Sequence, residues 1–246
     1  MSTGEEWEES LLHHTWNTPR YAIIPSKPQT PERLELLDQS VQAIAPQVDQ
    51  VLVIDNTPDR IIGLRAVPEL LDNVAVIADP ISPVNLSYLW NVGLRFARRL
   101  AREANADTGR ESWDVAIIND DAIVPDGWFT AVSDAMREQG AAAGCSGGGP
   151  HSRMLTQPGA VPLETRMTGW AFILAGEKGA TANEQLLWWF GDDHLDWLSR
   201  QLGGMLMIPG YPVRHLTANN QMTPELHAQT GKDAATFKAY WGSLPW

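Results

Sequence analysis

The chain has 246 residues, 43% of them hydrophobic and 20% charged, which is the make-up of a soluble globular protein with one large α/β domain or two small ones. A formal net charge of −12 argues against a general binder of phosphate backbones, without excluding a locally basic groove. The one cysteine, Cys145, excludes an internal disulfide and a cysteine-based zinc site, and fits a reducing compartment.

Residues 1–19 are acidic and lack a long apolar run; they predict a loosely structured lead-in, neither secretory signal nor anchor. No apolar window approaches the roughly 18–20 residues of a spanning helix, so the expected location is cytoplasmic with no membrane partner. YAIIPSK (Tyr21–Lys27) predicts a buried strand stopped at Pro25. Pro31 then suits a helix first turn, and Leu34, Leu37, Val41 and Ile44 recur at helical spacing. QVLVIDN (Gln50–Asn56) and NVAVIAD (Asn73–Asp79) predict two more strands with a short helix between them. Asn85–Ala104 predicts a helix with Leu86, Leu89, Gly93, Phe96 and Leu100 on one side. DVAIIND (Asp114–Asp120) predicts a fourth strand, and Asp126 the cap of a helix running to about Gln139.

This is βαβ alternation. The strands are continuous apolar runs, so both faces of the sheet should be covered and the sheet mainly parallel, with helices flanking it. Ligands bind such sheets beyond the carboxyl ends of the strands. Here those ends carry PSK, DN, ADP and NDD, which marks a site before any family is considered. The second half is less regular. GCSGGGPHSR (Gly144–Arg153) reads as mobile, Thr165–Ala175 contains a strand, and Trp188–Gly204 becomes a helix with Leu195, Leu198 and Leu202 inward. Met205–Leu216 reads as a strand, a proline-bounded turn and His215, followed by a helix-prone tail. The expected organisation is one domain over 20–216, divided into a nucleotide-type half (20–140) and an aromatic-rich half (141–216), with a helical tail over 217–246.

Three groups of residues can carry chemistry. Asn119-Asp120-Asp121 ends a buried strand in two adjacent carboxylates, which repel and resist desolvation. They are either a solvated turn capping nearby N–H groups or the seat of a cation; a divalent one would suit oxygen ligands and neutralise a leaving diphosphate. Asp192, Asp193 and Asp196 surround His194 after WWFG. Such a cluster can supply a general base, or it can simply favour a helix N-terminus. His215 can complete a metal site begun elsewhere, or be an ordinary surface or core histidine.

In this order the pieces resemble inverting glycosyltransferases of the GT-A fold, especially family 2, across Tyr21–Leu216. YAIIPSK resembles the strand opening the nucleotide site, with Pro25 and Lys27 at its end, and VLVIDN the second strand, whose terminal Asp55, beside Asn56, would contact the base. NLSYLWNVGL resembles the N-x-G-x-x-x-x-N-x-G-type donor segment, keeping Asn85, Asn91 and Gly93 but carrying Ser87 for the first glycine. INDDAIVPDGW resembles the metal-binding D-x-D segment, with Asn119 where the first Asp usually stands. The resemblance gives Asp121 the metal contact and Asp120 a sugar or outer contact. MTGWAFIL, with Gly169 and Trp170, resembles the acceptor-side strand, and WWFGDDHLDWLSR both the G-E-D-x-D segment and the W-G-x-E-D-D-D run of galactosyltransferases. On that match Asp193 is the base and Asp192 an acceptor-hydroxyl contact, with Trp189 and Asp196 also on the acceptor side. IPGYPVRH resembles the closing strand with its metal-ligating His215. A fainter similarity is to glycosyltransferases encoded by actinobacterial phages.

The resemblance implies transfer of a sugar, with inversion, from a UDP- or GDP-linked donor to a hydroxyl on a protein, glycan or modified nucleobase. Mn2+ or Mg2+ would be held by Asp121 and His215. Trp170, Trp188, Trp189 and Trp197 are candidate sugar platforms or core residues, and the Arg95, Arg98, Arg99, Arg102 series reads as one solvated helix face. Two other readings compete. A sugar-1-phosphate nucleotidyltransferase should carry a glycine-rich loop after the first strand, and PSKPQTPER has no glycine. A non-catalytic sugar-nucleotide or glycan-binding module would explain Asn119 and His194, both departures from an acidic pattern.

Overall fold

The computed structural model describes residues 18–58, 72–147, 149–217 and 223–246. Residues 1–17 of the lead-in expected over 1–19, and the short helix expected before the third strand, lie outside the described residues. The four apolar runs are β1 (Arg20–Ser26), β2 (Gln50–Asp55), β3 (Val74–Ala78) and β4 (Asp114–Ile118). They pair in parallel, in the order β3-β2-β1-β4. The sheet then continues through β8 (Ala171–Ala175), β6 (Ala143–Ser146), β9 (Met205–Ile208) and β7 (Arg153–Leu155). Here β8 is antiparallel to both neighbours, β9 parallel to β6, and β7 antiparallel to β9. A separate antiparallel ribbon joins β5 (Ala122–Ile123) to β10 (Arg214–His215).

Two helical layers explain the unbroken apolar runs. Ala22 and Ile24 face a core built with α1 (Pro31–Ile44) and α3 (Trp128–Glu138), through Leu37, Val41, Phe129 and Val132. Tyr21 and Ile23 face the opposite core, built with α2 (Leu86–Ala104) and α4 (Gly191–Leu202), through Leu89, Trp90, Ala97 and Leu195. Helix α2 lies close to the sheet because Gly93 has no side chain: a Cβ there would stand 2.5 Å from Ile23 Cγ2. A last helix, α5 (Pro224–Trp241), packs Phe237 against Phe190 and Trp197 in a small aromatic core. Among the described residues, no helix is long and apolar enough to cross a membrane.

Several local expectations are corrected. β1 runs through Pro25 to Ser26, because its pairing with β4 ends at Ile23 and the missing proline N–H interrupts no ladder on that side. Phe96 is 39% exposed; the buried stripe of α2 passes through Leu89, Gly93, Ala97 and Ala101 instead. Asp126 does not cap α3, whose N-terminal flank is Gly127 at φ 73°, a left-handed conformation suited to glycine. The Gly144–Arg153 stretch, expected to be mobile, contributes β6 and begins β7. Its small residues serve packing: a Cβ on Gly144 would meet Val132 Cγ1 at 2.9 Å.

Candidate active site

Parallel pairing of β1, β2 and β4 brings Ser26, Asp55 and Asn119 to one edge of the sheet. Beyond β4 the chain turns tightly, Ala122 N–H donating to Asn119 O at 3.1 Å, and Asp120 and Asp121 occupy the turn. Ser40 of α1 fastens it by donating to the carbonyls of Asn119 and Ala122. Asp120 is 8% exposed and accepts a 2.6 Å hydrogen bond from Ser26 Oγ through Oδ2. The cation that answers the repulsion of the pair is Arg33: Nη2 lies 2.7 Å from Asp120 Oδ1, and Nη1 3.2 Å from Asp121 Oδ2. Asp121 Oδ1 lies 3.0 Å from His215 Nε2, and Asp121 Oδ2 also accepts from Thr217 Oγ1. The β5–β10 ribbon sets this contact by pairing His215 with Ala122.

The environments drive the two carboxylates apart. Burial raises Asp120, outweighing the Arg33 charge and the Ser26 hydrogen bond. Burial acts upward on Asp121 too, but hydrogen bonds from His215 and Thr217, with the charges of His215 and Arg33, hold it down to about 2.

Asp121 and His215 are the residues that could hold a divalent cation. Two cis ligands about 2.1 Å from an octahedral metal stand roughly 3 Å apart, the separation found between Asp121 Oδ1 and His215 Nε2. Among the described residues no group of three or more His, Cys, Asp or Glu side chains converges, so a cation here would take its other ligands from diphosphate and water.

The remaining donor-side expectations divide. Asp55, at the end of β2, is buried and accepts from Thr57 N–H and Oγ–H through Oδ1. Asn56 is 1% exposed, and both polar atoms of its amide are buried without a hydrogen-bond partner among the described residues, an arrangement that invites a ligand. Lys27 is half-buried just past β1. Asn85 and Asn91, expected to touch the donor, are committed to the fold. Asn85 caps α2 at Tyr88 N–H and donates to Glu184 O. Asn91 exchanges hydrogen bonds with the Ala182 backbone and donates to Glu184 Oε1.

Across the sheet, Trp170 precedes β8, and its carbonyl accepts from Asn119 N–H at 2.9 Å. Trp170 is 40% exposed, and its indole stacks on the His215 ring. Gly169 N–H donates to the Asp192 carboxylate, which is so close that a Cβ on Gly169 would stand 3.1 Å from Asp192 Oδ2. Asp193 is paired at 3.1 Å with Arg166. Burial raises both acids; in Asp193 the charge of Asp192 adds to it against the pull of Arg166, and the carboxyl is pushed up to about 8.

Asp196, expected on the acceptor side, is fully buried in a two-pronged pair with Arg200 at 2.9 and 2.6 Å, and Arg200 continues to the carbonyls of Gln157 and Gly159. Trp189 packs against the small aromatic core rather than opening onto the strand ends, and Trp197 is a member of that core. His194 is likewise structural: Nδ1 accepts from Trp241 Nε1–H at 3.2 Å, and the ring is also hydrogen-bonded to the Thr181 backbone.

Sequence reading missed Arg33, Arg166 and Asp233. A weak signal for Arg33 existed, since an arginine in the first turn of a helix opposes the helix dipole. Asp233 of α5 is fully buried and accepts from the N–H groups of Leu187, Trp188 and Trp189 at 3.2, 2.9 and 2.8 Å, and from Gln229 at 2.7 Å. It therefore builds the loop leading to Asp192 and Asp193. That loop includes Phe190 at φ 64°, a conformation uncommon outside glycine.

The parallel β3-β2-β1-β4 half, the acidic turn after β4 and the antiparallel extension through β8 constitute the GT-A type fold of nucleotide-diphospho-sugar transferases. Among solved structures the chain is similar to TarS of S. aureus, a family 2 glycosyltransferase. Against TarS residues 1–349 the TM-score is 0.51 at 10% identity, covering 92% of this chain and 72% of that one. Against a longer TarS structure it is 0.53 at 13% identity, covering 90% of this chain and 40% of that one. At such identities the likeness is one of fold. No protein-family model matches the sequence, and no curated protein matches it.

Proposed function

We propose that this protein is a metal-dependent, inverting glycosyltransferase that moves a sugar from a UDP- or GDP-linked donor to an acceptor hydroxyl. The observation that carries the reading is the 3.0 Å contact of Asp121 with His215 at the strand ends of a GT-A fold. In this reading the nucleotide lies over Asp55 and Asn56, and the diphosphate reaches the Asp120–Asp121 turn. Mn2+ or Mg2+, held by Asp121 and His215, would supply charge neutralisation at the departing diphosphate. Asp193 takes the proton of the acceptor hydroxyl, and a carboxyl raised by burial suits a base working near neutral pH. The acceptor oxygen bonds to the anomeric carbon on the face opposite the breaking bond to diphosphate, which inverts that carbon. Asp192 orients the acceptor, and Trp170 presents a flat apolar face to a sugar. Protein, glycan and modified nucleobase hydroxyls all fit this chemistry, and a cytoplasmic setting suits an activated donor.

The test is a panel of UDP- and GDP-sugars scored for released nucleotide with Mn2+, with EDTA, and with an Asp121→Ala variant. Turnover that needs metal and Asp121 supports the reading; turnover indifferent to both sinks it. One observation favours a second reading, a non-catalytic sugar-nucleotide-binding module: the acidic turn is already neutralised by Arg33. Nucleotide binding without turnover across the panel would select it.

A further inference from the structure

Arg33 differs from the other arginines that pair with buried acids. The Arg200 side chain is 1% exposed and that of Arg137 11%, and each also donates to backbone carbonyls that tie parts of the fold together. Arg33 is 25% exposed and splits its fork between two carboxylates that belong to the candidate donor site. It stands in the first turn of α1, two residues after Pro31, where the helix dipole offers a cation no support. Among the described residues, the acidic pair is what holds its guanidinium, and the rest of the side chain meets solvent. A guanidinium fork matches phosphate as well as it matches carboxylate.

We propose that Arg33 is a stored cation of the donor site: it neutralises Asp120 and Asp121 while the site is empty, and transfers to the donor diphosphate when a divalent cation takes Asp121. The proposal rests on the glycosyltransferase reading. The charges favour such an exchange. Two carboxylates face one guanidinium in the free protein. A dication on Asp121 would oppose Arg33 across a single carboxylate, and the incoming diphosphate brings the negative oxygens that give Arg33 a new partner. Linkage then demands effects of opposite sign. Removing the guanidinium should tighten cation binding in the absence of nucleotide, and weaken diphosphate binding in the presence of cation.

The experiment compares wild type, Arg33→Gln and Arg33→Lys. Free Mn2+ is followed by electron paramagnetic resonance without nucleotide, and UDP and GDP binding by calorimetry at saturating Mn2+. Arg33→Gln should bind Mn2+ about fivefold more tightly and the favoured nucleoside diphosphate about tenfold more weakly. Arg33→Lys should leave Mn2+ affinity near wild type while losing part of the diphosphate affinity, because lysine keeps the charge and loses the fork. If all three proteins bind Mn2+ and nucleotide within twofold of one another, Arg33 only braces the turn and the proposal is overturned. If wild type binds neither Mn2+ nor either nucleotide, the glycosyltransferase reading itself fails, and the proposal with it.

Discussion

The indole of Trp170 lies flat on the imidazole of His215, ring centroids 5.1 Å apart and planes 6° from parallel. His215 points Nε2 at Asp121, so the plane that Trp170 imposes decides where that nitrogen aims. Trp170 is itself fixed, because its carbonyl is held by Asn119 N–H. One aromatic ring thus couples the acceptor-side strand β8 to the ribbon that carries the candidate metal ligand. Partners that orient a ligating histidine commonly contribute tenfold or more to metal affinity. Trp170→Ala should raise the Mn2+ concentration for half-maximal turnover about tenfold, and Trp170→Phe should recover most of it. Unchanged Mn2+ dependence in Trp170→Ala would show that the stack does not orient His215.

The Asp192–Asp193 pair gives a pH signature with opposed shifts. With Asp193 pushed up to about 8 by burial and by Asp192, kcat/KM should rise with pH through that region as the base loses its proton. Asp192→Asn removes a charge that raises Asp193, so the rising limb should move to lower pH. Arg166→Gln removes a charge that lowers it, so the limb should move to higher pH. Asp193→Asn should lose about a thousandfold in turnover while still binding donor. A rate profile that stays in place in both neighbours' variants, or wild-type transfer by Asp193→Asn, removes Asp193 from the role.

The parts of the molecule legible in the sequence were those whose cause is local. Val51–Ile54 and Val115–Ile118 are buried on both faces, so their apolar runs announced β2 and β4 without further help. Pro31 likewise marked the start of α1, whose cap the structure assigns to Thr30. β6 was hidden because close packing by Val132 demands glycine at 144, and small residues read as a loop. The motif segment Asn85–Gly93 was found, but its asparagines are consumed by Ala182 and Glu184, partners that spacing alone could not supply. Arg33 meets Asp120 across 87 residues, and Asp233 meets Trp188 across 45; only the folded chain reveals such pairs.

Asp233 should act on the acceptor side alone. Its carboxylate satisfies three consecutive backbone N–H groups at the entrance to α4, and an asparagine there would present an amide NH2 to donors. Asp233→Asn should cost about 3 kcal/mol in urea denaturation, the scale of leaving buried donors unpaired. Purified folded variant should also lose kcat, about tenfold or more, as Phe190 relaxes from its left-handed conformation and Asp192 and Asp193 shift. Donor KM should stay near wild type, since Asp55, Asp121 and His215 stand on other elements. Equal losses in donor KM and kcat would mark a general defect and exclude a positioning role.

His194 should make the packing of α5 sensitive to acid. Burial pushes its imidazole down to about 4, although a backbone hydrogen bond to Thr181 resists that fall. Unfolded histidine titrates near 6.5, so between these values the unfolded chain holds a proton that the native chain does not. The contribution is therefore complete above pH 6.5 and is lost as pH falls toward 4, reaching roughly 3 kcal/mol in all. Protonation would also put a hydrogen on Nδ1, which now accepts from Trp241 Nε1. Urea denaturation of wild type and His194→Gln at pH 7.5 and pH 5 isolates the effect, because the buried carboxylates titrate in both proteins and cancel in the difference. Wild type should lose about 2 kcal/mol more than the variant over that interval. Parallel losses in the two proteins would mean that His194 carries its proton in the native state and does not clamp α5 in neutral form.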